Sequence, residues 1–435
     1  MNNPCHVTRN HFGSNVTFLV NLAVLLLAVC SCKAGDLVAN PTRHAQKYLS
    51  VMSEMEADVS QDVRALKTRD ASEKEGLESK RSALLGALQS LAVARSNVGD
   101  AQGAVAAFDE EWRYREQFYG PKSIGDESAD LFAIDNSHTV DAVEAIARAA
   151  RSRQIVILNE AHHVPFDRLF AMHLARALRK EGFEYLACET FFIDDLHVLE
   201  RGYVVENTGF YSHEPTFVKF LMDAKNDGWK FVSYEPSSDL RESGMAKNIM
   251  DRVFAVNPNA KIFIYAGYSH AKKLPVSHSD IDNSKLAAQL LRLTGIDPLT
   301  INQVTLFAQY ISAQQERYYA RAVRKLKGRK PAVLVGPDGS PIKLSIDDFA
   351  YDFEVVHPAY MDDAITGRPE WLSTDFAPHT VPKEIVPTKG RRVLYAYLRD
   401  AAPDGVPIDV VVLRPHGKVP KLMLPSGDFV FEYED

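Results

Sequence analysis

Four apolar runs in the middle of the chain each finish on a carboxylate or an imidazole: QIVILNEAHH (154–163), FEYLACE (183–189), KFVSYE (230–235) and KIFIYAGYSH (261–270). All are short and rich in Val, Ile, Phe and Tyr, and sequence able to form helix separates each from the next. This is the pattern of strands in a parallel βαβ sheet. Residues 166–181, with Phe166, Leu169, Phe170, Leu174 and Leu178 at helical spacing, and residues 215–227 predict connecting helices that Gly182 and Gly228 close. A helix over 140–151 leads into the first strand, and 283–293 and 302–327 read as further helices. Strands resume at 332–335, 353–357, 392–398, 406–414 and 429–433; they either extend the sheet or build a small separate lobe.

Upstream, residues 45–118 lack proline and are dominated by Glu, Lys, Arg, Ala and Leu. They predict two or three helices with a partial apolar stripe through Leu66, Leu77, Leu84, Leu85, Leu88 and Leu91, a spacer or packing arm. The expected fold class is α/β: a central, mostly parallel sheet flanked by helices, with an N-terminal helical arm and a β-rich C-terminal extension. The divisions fall at 1–32, 40–120, 128–345 and 346–435.

Residues 1–32 differ from the rest. An apolar stretch over 16–29 is too short to span a bilayer comfortably but suits the core of a signal peptide. It ends in Cys30-Ser31-Cys32, which resembles the lipobox of bacterial lipoproteins; Cys32 follows a small Ser31 and is preferred over Cys30 as the lipidated residue. The expectation is a bacterial envelope protein, lipid-anchored at the outer membrane or in the periplasm. Cleavage there removes Arg9 and moves the formal charge from −7 to −8, which makes nucleic acid an unfavourable partner. Cys188 is then the one thiol besides the lipidated residue, so no disulfide framework forms, and its apolar run marks it as a buried, inert thiol. A basic stretch over 317–330 reads as a solvated helix face.

In parallel sheets the ligand crevice lies beyond the carboxyl ends of the strands. Glu160, His162, Glu189, Glu235 and His270 should therefore converge on one crevice, with His270 on the far strand and the glutamates between. Carboxylates are costly to gather there unless a cation, a proton or an arginine compensates them. Two imidazoles with two or three carboxylates match a divalent zinc, manganese or iron ion with a position open to water. Without a metal, the same set suits a histidine general base oriented by glutamate. Arg241 either clamps substrate or neutralises the carboxylates; Tyr211 and His213 lie on a loop able to cover the crevice; His163 suits a supporting donor; and His173 and His197 read as packed or surface histidines. No HExxH, paired CxxC or GxSxG occurs.

Leu158-Asn159-Glu160-Ala161-His162-His163 resembles the G-E-x-H motif that opens the superfamily of erythromycin esterases, ChaN-type haem-binding lipoproteins and Tiki-type metalloproteases. Further matches follow in order. Cys188-Glu189-Thr190 is similar to the second-strand glutamate; Gly209-Phe210-Tyr211, Glu214-Pro215 and Tyr234-Glu235 to G-x-Y, E-P and Y-E; Arg241-Glu242 with Met245-Ala246 to R-[DE]-x-x-M-A; and Gly267-Tyr268-Ser269-His270 to G-x-x-H. The resemblance spans about residues 130–300 and departs at Asn159, where the family has glycine. It implies ester or amide hydrolysis of a small-molecule or peptide substrate, with a metal or with a His general base. Its rival implication is haem or iron capture, for which Tyr211, Tyr268, Arg241 and His270 are the cofactor-binding candidates. A catalytically inactive scaffold, with the arm as the functional part, is the third reading.

Overall fold

The structure is a computed structural model that describes residues 40–42, 47–67, 74–121, 125–191, 201–236, 241–273 and 284–435. Cys30, Cys32 and His197 lie outside the described residues.

Alternation builds the central layer. Strand β3 (Ile155–Glu160) is buried throughout. Its Val156 and Leu158 enter one core with Phe170, Leu174 and Phe217, and its Ile155 and Ile157 enter another with Met245, Ile249 and Leu290. Both faces of the sheet are therefore covered, as near-continuous apolar strands require. Helices Ala142–Ala150, Pro165–Lys180 and Pro215–Asn226 lie on the first side; helices Arg241–Ile249 and Leu286–Thr294 lie on the second.

With β2 (His138–Asp141), β4 (Tyr185–Cys188), β5 (Lys230–Val232), β6 (Ile262–Gly267), β7 (Leu299–Leu306), β8 (Ala332–Val335) and β9 (Phe353–Val356), the eight-stranded sheet runs in the order β2-β8-β9-β7-β3-β6-β4-β5. All pairings from β9 to β5 are parallel, and β8 and β2 close one edge antiparallel. The protein is thus α/β with a mostly parallel sheet flanked by helices.

Two expectations need correction. Strand β6 is not the far strand; it lies between β3 and β4. Residues 302–306 are not helical but belong to β7, and the helix starts only at Ala313. Strand β7 is polar for a central strand because Thr300, Asn302, Gln303 and Thr305 spend their side chains on buried hydrogen bonds. Sheet pairing thus carries the strand through a break in its apolar alternation at Asn302-Gln303, where the register with β9 also shifts.

The C-terminal strands answer the question the sequence left open in both ways. Strands β8 and β9 extend the main sheet, which therefore runs on past residue 346. Strands Arg392–Leu398, Asp409–Leu413 and Phe429–Glu434 form a separate sheet, joined by β1 (Asn40–Pro41). Three helices make the arm: α1 (Tyr48–Lys67), α2 (Lys74–Asn97) and α3 (Ala101–Tyr119). The arm is a packing element. Tyr48, Leu49, Met52, Leu91 and Phe108 form a core with Val393, Tyr395 and Tyr397 of that sheet. Cations of the 317–330 stretch pair at the surface, Arg317 with Glu127 and Arg321 with Asp135.

Candidate active site

Strand order decides what meets. Glu160 ends β3 opposite Gly267 of β6, and Cys188 of β4 pairs with Tyr265 of the same strand. Glu189 and the turn carrying His270 therefore fall beside Glu160, although about 30 and 110 residues separate them in sequence.

His162 Nδ1 lies 2.7 Å from Glu160 Oε1, and its Nε2 lies 3.8 Å from Glu189 Oε1. His270 Nε2 approaches the same Glu189 oxygen at 3.6 Å, while its Nδ1 lies 2.9 Å from both oxygens of Glu242. Glu189 thus stands between two imidazoles, each anchored at Nδ1 by another carboxylate. Arg241 Nη2 donates to Glu189 at 2.5 Å, and its Nε lies 3.8 Å from Glu235 Oε2. The backbone N–H of Gly267 donates to the other Glu189 oxygen.

The imidazole of His162 sits in a fitted slot. Tyr211 stacks on it at 3.7 Å and 10°, and Tyr268 meets it edge-on at 5.0 Å. The two tyrosines therefore pack against the histidine. Thr190 Oγ1 accepts from the backbone of Tyr211 and Ser212 at 3.0 Å and fixes the covering loop. Two glycines permit the approach: a Cβ on Gly209 would collide with the Thr190 carbonyl, and one on Gly267 would strike the His162 ring and lie 2.9 Å from Glu189.

Beneath the dyad, Arg168 is 1% exposed. It donates to Glu160 and Glu214 at 3.2 Å each and to the His162 carbonyl at 2.6 Å. Glu214 also caps helix Pro215–Asn226 through the Thr216 and Phe217 N–H groups. Asp167 accepts the Ala161 N–H at 2.8 Å and so pins the turn between Glu160 and His162. Asn159 points to the opposite face. Its amide donates to the carbonyl of Tyr268, a residue at φ 43°, and to Asn302, both at 2.9 Å. Asn159 thus holds a strained turn beside the crevice.

Charge follows this geometry. Burial pushes the Glu160 carboxyl up, but Arg168 and His162 outweigh it and hold it at about 2. Glu189 is also held at about 2, because His270, His162 and the Gly267 N–H outweigh its burial. Burial opposes protonation of His270, yet Glu189 and Glu242 raise it to about 9. Glu235 has a buried Oε1 without a partner, and burial together with Glu189 pushes it up to about 7. His163 is pushed down to about 3 by burial.

No family model matches the chain, and no curated protein does. Among solved structures, two described as bacterial protein toxins are similar at 14% and 15% identity. They cover 58% and 59% of this chain and 68% and 66% of their own, with TM-scores of 0.28, a likeness that carries no argument.

The structure thus brings Glu160, His162, Glu189, Arg241 and His270 into one contact network, with Glu235 at its rim. His213 spends its Nε2 on the Glu206 carbonyl, His173 pairs with Asp375, and Cys188 is buried with its thiol pushed up by burial. Sequence reasoning missed Arg168, Asp167 and the roles of Glu214 and Glu242. A cation and an acid inside the apolar run PFDRLF were the available signal for the first two.

Both histidines present Nε2 to one carboxylate with Nδ1 held by another, an arrangement also used to orient metal ligands. Arg241, however, takes the Glu189 oxygen that an ion needs, and among the described residues no group of three or more His, Cys, Asp or Glu is spaced to hold a metal. The fit to haem is poorer: Tyr211 covers a face of His162, and the Glu189 carboxylate faces both Nε2 atoms where haem needs flat apolar walls.

Proposed function

We propose that the chain is a membrane-tethered hydrolase of the bacterial envelope, cleaving an ester or amide by acid–base chemistry at Glu160, His162, Glu189, Glu235 and His270. The observation that carries this reading is the Glu160–His162 contact. An ionised carboxylate accepts, so the proton sits on Nδ1 and Nε2 is left to act as the base. In this scheme His162 Nε2 takes a proton from water as the oxygen bonds to the substrate carbonyl carbon. His270 and Arg241 supply positive charge for the developing oxyanion. Glu235 gives its proton to the leaving group as the C–O or C–N bond breaks, and the proton on His162 then returns to Glu235 through solvent.

A divalent zinc, manganese or iron ion is the second reading, favoured by the paired anchoring of the imidazoles. It would be held by His162, His270 and Glu189 and would supply a more acidic water. Hydrolysis of a panel of nitrophenyl esters and anilides, before and after exhaustive chelation, separates the two. Turnover is expected to survive chelation. Loss restored by one divalent ion selects the metal, and no turnover on any substrate rejects the hydrolase.

The pH profile carries a sign. Glu235 is an acid only while protonated, so kcat is expected to fall as pH rises through about 7. Glu235→Gln should lower the rate and abolish that limb.

The tether rests on the sequence of residues 16–32. No helix among the described residues is long and apolar enough to cross a membrane. Mass spectrometry of the chain extracted from envelopes is expected to find an acylated N-terminal Cys32, and an unmodified Cys32 would remove the anchor.

A further inference from the structure

We infer that Phe108, on the N-terminal helical arm, is a positioning residue for the His162 imidazole, so that the arm completes the site. Phe108 is 6% exposed and lies in α3, outside the span that carries the motifs. Its ring stacks on His163 at 3.9 Å and 19° and runs parallel to Tyr268 at 6.1 Å and 8°. Tyr268 in turn sets its ring perpendicular to His162. A ladder of rings therefore runs from the arm through Tyr268 to His162 and ends on Tyr211.

Each rung removes a freedom that the imidazole would otherwise have. The Glu160 contact fixes Nδ1 but leaves the ring able to rock about that hydrogen bond. Tyr211 blocks one face, and the Tyr268 edge limits tilt. Tyr268 cannot hold this position through its backbone alone, because a left-handed tyrosine is strained and its turn is kept only by the surrounding contacts. Asn159 holds the Tyr268 carbonyl from below, and Phe108 backs the ring from the side. His163 offers Phe108 a neutral, buried ring to rest on. The arm is also tied to the covering loop, since Tyr48 of α1 donates its hydroxyl to the His213 carbonyl at 3.2 Å.

The kinetic part of the test rests on the hydrolase reading; the spectroscopic part does not. In the full chain, Phe108→Leu keeps apolar bulk but removes the flat ring. It is expected to lower kcat about tenfold with KM within twofold, the scale of a sub-ångström misplacement of a reacting group. Leu91→Ala, which thins the same arm core without removing an aromatic ring, is expected to lower the melting temperature and leave kcat unchanged. Equal effects on kcat from both variants would reduce Phe108 to ordinary core packing and overturn the inference.

Carbon-13 relaxation of the His162 ring CH groups reads the same point without turnover. A rigid ring is expected in the wild type, and a lower ring order parameter in Phe108→Leu. An unchanged order parameter in the variant overturns the inference even if the wild type hydrolyses nothing. Should Phe108→Leu fail to fold, Phe108→Met is measured in its place.

Discussion

His162→Ala should lower kcat on any ester that the wild type turns over by about 10²- to 10⁴-fold, the usual contribution of a positioned general base. KM should stay near its wild-type value, because the group acts on water. Glu160→Gln should cost nearly as much for a more specific reason. The carboxylate can only accept, so it keeps the proton on His162 Nδ1; an amide can donate to Nδ1 and send the proton to Nε2, where the base must be bare. Added imidazole should partly rescue His162→Ala, which vacates a ring-sized slot under Tyr211, and should not rescue Glu160→Gln, where the ring remains. Steady-state rates of the three proteins, with circular dichroism to confirm folding, make the comparison. Turnover of His162→Ala within about twofold of wild type would take the base assignment away from this residue.

Much of this site was legible because strand ends are visible in sequence. An apolar run that stops on a charged residue shows where a strand leaves the core, and Glu160, Glu189 and His270 were found in that way. What the runs do not encode is lateral order. Nothing local tells β6 to insert between β3 and β4, and that insertion brings His270 within 3.6 Å of Glu189. Strand β7 is hard to read for a related reason: its alternation breaks phase at Asn302-Gln303, and Thr300, Asn302, Gln303 and Thr305 suit a core only once their buried partners are known. Asn302 meets Asn159, Asp347 and Glu354, all remote in sequence.

The residues that compensate the carboxylates were the hardest to see. A cation on a helix reads as solvent-facing unless its tertiary partners are known, and Arg168 lies eight positions beyond Glu160 on a helix whose N-terminal turn is wholly buried. The sequence established that something must neutralise the clustered acids and left a metal, a proton or an arginine open. The chain itself supplies Arg168 below the dyad, Arg241 at the rim and a protonated His270 between Glu189 and Glu242. Glu242 also accepts from the Leu286 N–H at 2.9 Å, so His270 is tied to the start of the next helix.

Arg168→Met should be the most destabilising substitution at the site, by about 3–5 kcal/mol, because it strands a buried carboxylate whose cation has gone. The methionine fills much of the aliphatic stem and keeps contact with Phe217, over whose ring the guanidinium now lies at 5.1 Å. The loss therefore reports charge more than packing. Arg168→Lys should recover only part of it, since one ammonium cannot serve Glu160, Glu214 and the His162 carbonyl in the fork geometry of a guanidinium. The pH dependence provides an internal check. Glu160 sits at about 2 in the folded chain against an ordinary 4.5, so it contributes stability that is present above about 4.5 and lost as pH falls through about 2. Without Arg168 that contribution shrinks or reverses, and the difference between wild type and Arg168→Met should narrow as pH falls from about 4.5 toward 2. Urea unfolding at a series of pH values measures it. A difference that stays constant over that range would mean that Arg168 stabilises the fold by packing, with the Glu160 charge carried by some other group.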